Sequence, residues 1–422
     1  MRSAAVRMHT KTVLAVVVLL LVPAASVGAS GLTLTGKVVD SSGRSIPGAT
    51  VMVYHAGVLS GYSTLCPSCY KDCGKRAKTD ASGAYTINNL EHGLWFDILV
   101  VHEGYVPEII KIEDASAGPA PRATLRKRPS TISPSHAVKG HVLDANGDAV
   151  RDAVVTAVGV EGEQGSMVGT IPGLDPLAVT DPNGDFQLVC EMPLKRVLVT
   201  IEARTLSLKF VTLVTGAERQ TIELTRGATI KGRLVQDGKP VGDAEIGLIG
   251  QRRGGFGKKL TIVGDPYPEI RVGTQQDGTF VISDVPAGVQ WFVYAKMESV
   301  APRGSSEAKT CLTPRAGAIV DVGDMQVGRG YRFQGKVILS DAKSVPDGMR
   351  VIIISAHVWD SQTALLDKDG RFKFVGLPKG EYSISPAVKG YKLPGDQREI
   401  QASIQQDVDN FTISLSPEQP KR

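Results

Sequence analysis

Three cysteines lie close together in the segment Cys66-Pro-Ser-Cys69-Tyr-Lys-Asp-Cys73. The first interpretation is a disulfide: in an oxidising compartment, two of these thiols would join and pin a long loop, and the third would be free or paired elsewhere. As thiolates they also suit zinc or iron, with His55 or His102 as a fourth ligand. A third interpretation is a redox-active Cys-Pro-Ser-Cys motif whose thiol pKa is lowered by neighbouring basic residues, although the strand–helix context of thioredoxin-like motifs is absent.

The rest of the sequence contains no recognisable catalytic motif. His102-Glu103 begins like the zinc-binding His-Glu-x-x-His pattern, but Val106 occupies the position of the second histidine. The basic stretch from Arg252 to Lys259 lacks the leading glycine and the final Ser or Thr of a phosphate-binding loop. No Gly-x-Ser-x-Gly nucleophile motif occurs. We therefore predict a protein that is not an enzyme and needs no cofactor.

Residues 1–29 have the pattern of a secretory signal peptide. Three basic residues precede the apolar run Val13–Val22, which is too short to span a bilayer comfortably. The small residues Val27-Gly28-Ala29 follow, and we expect cleavage after Ala29. These features predict a secreted or periplasmic protein with no integral membrane segment after cleavage.

The charge balance argues against a dedicated nucleic-acid binder. The chain of 422 residues carries 48 Lys and Arg against 43 Asp and Glu, for a formal charge of +5. Removal of the signal peptide takes away three basic residues and leaves about +2. Nucleic-acid-binding proteins are usually more basic, with the charge clustered on one face.

Two sequence markers recur four times in the same order. The first is a strand, a Gly/Asp turn and a second strand, as in Leu34–Val53. The second is a turn that feeds a strand, as in Lys78-Thr-Asp-Ala-Ser-Gly-Ala-Tyr-Thr-Ile87. Successive copies are 92 to 104 residues apart, which is long enough for each unit to be a small domain. The predicted units span residues 31–129, 136–226, 227–330 and 331–416.

Alternation of apolar and polar residues between turn signals indicates about seven short strands in each unit, arranged as a β-sandwich. Trp95 and Trp291 occupy nearly the same repeat position as Tyr382, inside an apolar strand, so we expect them to pack in the core. Trp359 lies in a loop and is the candidate ligand contact. The junctions between units are short and favour an elongated string, with side-by-side docking left open.

These repeats resemble the carboxypeptidase regulatory-like domain family. The shared pattern joins Gly-x-Val-x-Asp-x-x-Gly…Ala-x-Val to Thr-Asp-x-x-Gly-x-aromatic and Leu-Pro-x-Gly-x-Tyr, and it covers residues 32 to about 416. The resemblance implies an all-β protein of four tandem seven-stranded, transthyretin-like (immunoglobulin-like) sandwiches after the signal peptide. It also implies modules that accompany many secreted proteins, here without the metallocarboxypeptidase domain.

The predicted function is a non-catalytic binding or structural scaffold whose expected partner is a glycan or an envelope or secreted protein. Binding is expected in the least repeated loops, which rigid sandwiches would hold in place. These loops are Tyr54–Arg76, Gly159–Leu177, Gly250–Arg271 and Ala356–Thr363. The alternative is a metal- or thiol-redox-dependent function at the three clustered cysteines.

Overall fold

The computed structural model describes residues 31–66, 70, 72–162, 165–216, 218–250, 269–358, 360–395 and 397–418. The predicted signal peptide, Cys69 and Trp359 lie outside these residues. The described chain is almost entirely β-structure arranged in sandwiches, which confirms the predicted fold class. The boundaries of the four units, 31–129, 136–226, 227–330 and 331–416, stay a prediction.

Residues 31–129 form the first unit, whose strands are β1 Leu32–Asp40, β2 Thr50–Val58, β3 Arg76–Lys78, β4 Ala84–Leu90, β5 Leu94–Val101, β6 Glu108–Ile112 and β7 Ala123–Leu125, with a 3-10 turn at Ala115–Ala117. One sheet has the order β4-β1-β7 and the other β3-β2-β5-β6.

The second unit has a 3-10 turn at Pro134–His136 and the strands β8 Ala137–Asp144, β9 Val154–Gly162, β10 Gly165–Val168, β11 Leu177–Val179, β12 Asp185–Val189, β13 Arg196–Glu202, β14 Lys209–Val214 and β15 Gln220–Leu224. Its sheets are β12-β8-β15 and β10-β9-β13-β14, with β11 also paired to β9.

The third unit consists of β16 Ala228–Gln236, β17 Lys239–Pro240, β18 Glu245–Gly250, β19 Ile270–Gly273, β20 Thr279–Val285, β21 Gln290–Ala295, helix α1 Met297–Val300, β22 Ser305–Ser306, β23 Lys309–Leu312 and β24 Ile319–Gly328. Its sheets are β17-β16-β24-β22, with β20 also paired to β16, and β19-β18-β21-β23.

The fourth unit consists of β25 Tyr331–Leu339, β26 Arg350–Ser355, β27 Ser361–Leu365, β28 Arg371–Leu377, β29 Gly380–Ala387, β30 Tyr391–Lys392, β31 Ile400–Ile404 and β32 Val408–Pro417. Its sheets are β28-β25-β32-β30 and β27-β26-β29-β31.

The first and last strands of every unit are parallel neighbours. The pairs are β1 with β7, β8 with β15, β16 with β24 and β25 with β32. The other strand pairs are antiparallel, as short turns between consecutive strands permit. Each unit has its own buried apolar cluster between its two sheets.

The repeated turn depends on an aspartate and a glycine. In the first copy, the Asp80 carboxylate accepts the backbone N–H groups of Ser82 and Ala84 at 2.8 and 3.0 Å. Gly83 has φ of 75°, and a Cβ there would lie 2.5 Å from the carbonyl oxygen of Val38. A side chain would therefore meet both backbone strain and a direct clash. The same geometry recurs at Gly184, Gly278 and Gly370.

A buried threonine ties the two sequence markers together. The Thr79 hydroxyl donates to the carbonyl of Ile46 at 2.6 Å and accepts the N–H of Ala49 at 2.8 Å. Thr180 and Thr274 make the equivalent contacts in the second and third units. In the fourth unit an apolar residue, Leu366, stands at this position. In the first three units, this threonine therefore bonds the two markers to each other in space.

Within the described residues, no helix is long and apolar enough to cross a membrane.

Candidate functional site

The cysteine-bearing segment forms a loop between β2 and β3, which we call the Cys loop (residues 59–75). Within it, Cys66, Tyr70 and Cys73 are buried, and Tyr70 and Cys73 join the apolar cluster of the first unit. Asp72 is fully buried, and its carboxylate pairs with Lys75 and accepts the backbone N–H of Glu91 at 2.7 Å. Cys69 is outside the described residues, so the disulfide stays a prediction.

One end of the Cys loop lies on the third unit. The carbonyl oxygen of Ser63 accepts a hydrogen bond from the backbone N–H of Gly273, the last residue of β19. A Cβ at Gly273 would lie 2.8 Å from the Cβ of Tyr62 and 3.0 Å from the Ser63 oxygen, so glycine is what permits this approach. Two units that are not consecutive in sequence are therefore in contact.

The other end of the Cys loop lies on the second unit. Gly74 has φ of 84°, and a Cβ there would clash with the Arg204 guanidinium, so this side chain lies directly over the glycine. Arg204 belongs to the turn between β13 and β14, where Thr205 has φ of 64°. A β-branched residue in this conformation is strained. The Cys loop thus contacts both the second and the third unit.

A histidine between two carboxylates extends this junction. His55 Nδ1 lies 3.5 Å from Asp97 Oδ2, and Nε2 lies 3.6 Å from Oε2 of Glu202 in the second unit. The ring of Tyr54 stacks on that of His55 at 3.8 Å, and its hydroxyl donates to Glu202 at 2.5 Å. Burial alone would lower the pKa of His55, but its interactions with the two neighbouring carboxylates raise it to about 9. At neutral pH, His55 is therefore a cation that bridges two units.

An apolar contact lies beside this polar junction. Met52 and Leu99 of the first unit pack against Val154 and Leu177 of the second. The end of the first unit is packed against the second as well, because Arg126 pairs with buried Asp175 at 2.8 Å. The first two units therefore dock side by side.

These contacts bear on the metal and redox interpretations. His55 faces two carboxylates, and His102 Nδ1 lies 2.7 Å from the carbonyl oxygen of Glu103. Within the described ranges, no three His, Cys, Asp or Glu side chains are grouped so that they could hold a metal ion. Burial raises the pKa of Cys73, whereas we expected basic neighbours to lower a thiol pKa. Two basic residues near Cys73 are already paired with acids. Lys75 pairs with Asp72, and Arg76 pairs with Asp152 of the second unit at 3.0 Å.

A second junction joins the third and fourth units through a buried ion network. Lys296 Nζ lies 3.0 Å from Asp360 Oδ1 and 3.0 Å from Glu269 Oε1. The side chains of Lys296 and Asp360 are only 8% and 2% exposed. Asp360 Oδ2 also accepts the N–H of Met297, the first residue of α1, at 2.7 Å. Burial raises the pKa of Asp360 even beside the Lys296 ammonium.

Apolar packing surrounds this network. Ile249 and Tyr294 of the third unit are buried against Val358 of the fourth. The hydroxyl of Tyr294 donates to Glu269. Burial would raise the pKa of Glu269, but hydrogen bonds from Tyr294 and Lys296 outweigh it and lower the pKa. Sequence analysis missed this site because its members come from different units, and no local pattern marks them.

The predicted core aromatics are located as follows. Trp291 and Tyr382 are 0% and 1% exposed, which agrees with the expected core packing. Trp95 is half-buried, and its ring covers Gly57, where a Cβ would lie 2.4 Å from the indole. The proposed ligand contact at Trp359 lies outside the described residues.

Comparison with known proteins supports the resemblance over part of the chain. Residues 33–126 match the family model of the carboxypeptidase regulatory-like domain. No curated protein matches the sequence.

Similar solved structures include three bacterial proteins. The TIE protein of Bacillus anthracis is 10% identical, with 88% of this chain and 68% of that chain covered and a TM-score of 0.20. GBS52, the minor pilin of Streptococcus agalactiae, is 14% identical, with coverage of 46% and 98% and a TM-score of 0.24. A streptococcal ancillary pilin is 11% identical, with coverage of 67% and 99% and a TM-score of 0.23.

Proposed function

We propose that this protein is a non-catalytic scaffold outside the cytoplasm. Its tandem β-sandwich modules would hold faces and loops in fixed relative positions for a glycan or for an envelope or secreted protein. The signal-peptide pattern of residues 1–29 supports the location. The Cys loop carries the proposal, because it joins the first unit to both the second and the third.

Fixed relative positions follow from the physics of these junctions. Modules on a free linker would sample many orientations, and each partner would have to order them on binding. The junctions here combine buried apolar side chains with backbone and charged contacts, as at Met52–Val154 and Ser63–Gly273. A partner that spans two modules would therefore meet a preorganised surface.

Small-angle X-ray scattering of the full mature chain tests the arrangement. We expect the native radius of gyration to match docked units, and Gly273→Val to increase it by pushing the Cys loop off β19. Gly328→Val is the matched control, because Gly328 has open space around it and no positive φ. A native chain with the dimensions of a flexible string would contradict the fixed arrangement, and turnover of peptide or ester substrates would contradict the non-catalytic role.

The alternative proposal is a metal- or thiol-redox-dependent function at Cys66, Cys69 and Cys73. Its structural support is that Cys66 and Cys73 are both buried in the same loop. Thiol titration together with metal analysis of protein purified without reductant separates the cases. A stoichiometric metal, or reversible oxidation that changes partner binding, would favour this alternative over the scaffold.

A further inference from the structure

An open groove of about 700 Å³ lies on the surface of the fourth unit. Its lining comes from β25, β27, β28 and β32. The central residues are Gln334 and Lys336 on β25, Lys373 on β28 and Asn410 on β32. Gly335 lies between the two β25 residues, and a Cβ there would lie 2.0 Å from the carbonyl oxygen of Phe411 and 2.9 Å from the ring of Phe372, so glycine permits the close approach of β25 and β32.

The groove carries two ammonium groups without an acidic partner. Within the described residues, no carboxylate forms an ion pair with Lys336 or Lys373. Lys336 lies opposite Arg371 and Gln334 lies opposite Lys373, so the two lysines are diagonal neighbours on adjacent antiparallel strands. Two acids also line the groove: Asp409 is paired with Arg332 at 2.8 Å, and the Asp367 carboxylate accepts the backbone N–H groups of Asp369 and Arg371.

On the matching face of the third unit, the equivalent positive charge is neutralised by an ion pair. There Arg233, which follows the repeat glycine as Lys336 does, pairs with Asp324 of the parallel last strand at 2.9 Å. In the fourth unit the residue of the last strand opposite Lys336 is Thr412. A hydroxyl replaces the carboxylate, and the positive charge stays available to a ligand.

The floor of the groove favours a ligand that contacts side chains. Strand β25 is hydrogen-bonded on both sides, to β28 and to β32, so a peptide cannot add to it as a further strand. The side chains available to a ligand include two amides, a hydroxyl and the two lysine ammonium groups, beside Leu365, which is 70% exposed. Amides and a hydroxyl suit sugar hydroxyl groups, the cations suit carboxylates, and the apolar surface suits the C–H face of a sugar ring.

We propose that this groove binds a linear acidic polysaccharide, with uronate carboxylates at Lys336 and Lys373 and sugar hydroxyls at Gln334 and Asn410. This site deepens the proposed scaffold function and rests on it, because it names the class of glycan that one module would hold. The lysines are exposed, so binding is electrostatic in part and weakens as salt increases.

Isothermal titration calorimetry of the full mature chain with oligogalacturonate measures the affinity of the site and tests the proposal. We expect binding to fall at least tenfold in the double variant Lys336→Gln/Lys373→Gln, and to fall with increasing salt. The matched control Lys231→Gln/Arg233→Gln removes two charges from the same face of the third unit, where both are paired with aspartates. We expect the control to bind as the native chain does.

Two further ligands define the chemistry. Methyl-esterified oligogalacturonate has the same sugar without charge and should bind at least tenfold more weakly. Polyglutamate has the charge without the sugar, and equal binding of polyglutamate would assign the groove to an acidic protein segment and overturn the glycan proposal. Absence of oligogalacturonate binding, or equal loss in both double variants, would overturn it as well. In each of these cases, a native radius of gyration that matches docked units would still support the scaffold proposal.

Discussion

Removal of the Asp360 carboxylate should destabilise the junction between the third and fourth units. Asp360→Ala deletes the ion pair to Lys296 and the acceptor for the Met297 N–H, and both partners are buried. Breaking a buried pair by removing one partner typically costs about 3–5 kcal/mol, because the remaining charge is left without compensation. Glu269 still pairs with Lys296, so we expect the lower part of that range.

Differential scanning calorimetry of the full mature chain measures this loss. For a cooperative block the size of two units, each kcal/mol shifts the melting temperature by about 2–4 °C, so we expect a shift of roughly 6–12 °C in one transition. The control is Asp369→Ala, which removes an exposed partner of Arg371 at 3.3 Å and should cost less than about 1 kcal/mol. A shift no larger than that of the control would refute the reasoning.

A double variant separates the charge from the hydrogen bond. Lys296→Met combined with Asp360→Asn removes both charges and keeps a side-chain acceptor for the Met297 N–H. Replacement of a buried ion pair by uncharged groups of similar volume is often close to neutral. We expect most of the stability to return, and a double variant as unstable as Asp360→Ala would show that the uncompensated charge of Lys296 is not the source of the loss.

Three further predictions concern the first unit. Gly83→Ala should lower its stability by at least about 2 kcal/mol through strain and the clash described above, whereas Gly93→Ala, with similar φ and open space, should cost only about 1 kcal/mol in denaturant unfolding. Thr79→Val should cost about 1–3 kcal/mol in the same assay, because two buried backbone groups lose their partner. Docking of the first two units should be pH-dependent, since the folded-state pKa of His55, about 9, exceeds its usual value of 6.5. The contribution should be complete below pH 6.5, decline between pH 6.5 and 9 and vanish above that, and His55→Gln should remove this dependence in pH-dependent scattering.

Local chemistry explains which features could be predicted from the sequence. The Asp–Gly turns and the aromatic strands follow from short-range rules, and Gly83 and Trp291 have the roles that those rules imply. Contacts between units obey no such rule. Ser63 meets Gly273 across 210 residues of chain, and Lys296 meets Asp360 across a junction. The short junctions in the sequence favoured an elongated string of units, whereas in the structure the first two units dock side by side.

The parallel pairing of first and last strands has a mechanical consequence. Because β25 and β32 run in the same direction, a pull on the two ends of the unit slides one strand along the other and loads all their hydrogen bonds at once. Such shear resists rupture better than peeling bonds one by one. The ladder between β1 and β7 is the shortest of its kind, over Val38–Asp40 and Ala123–Leu125, so under tension the first unit should yield before the fourth.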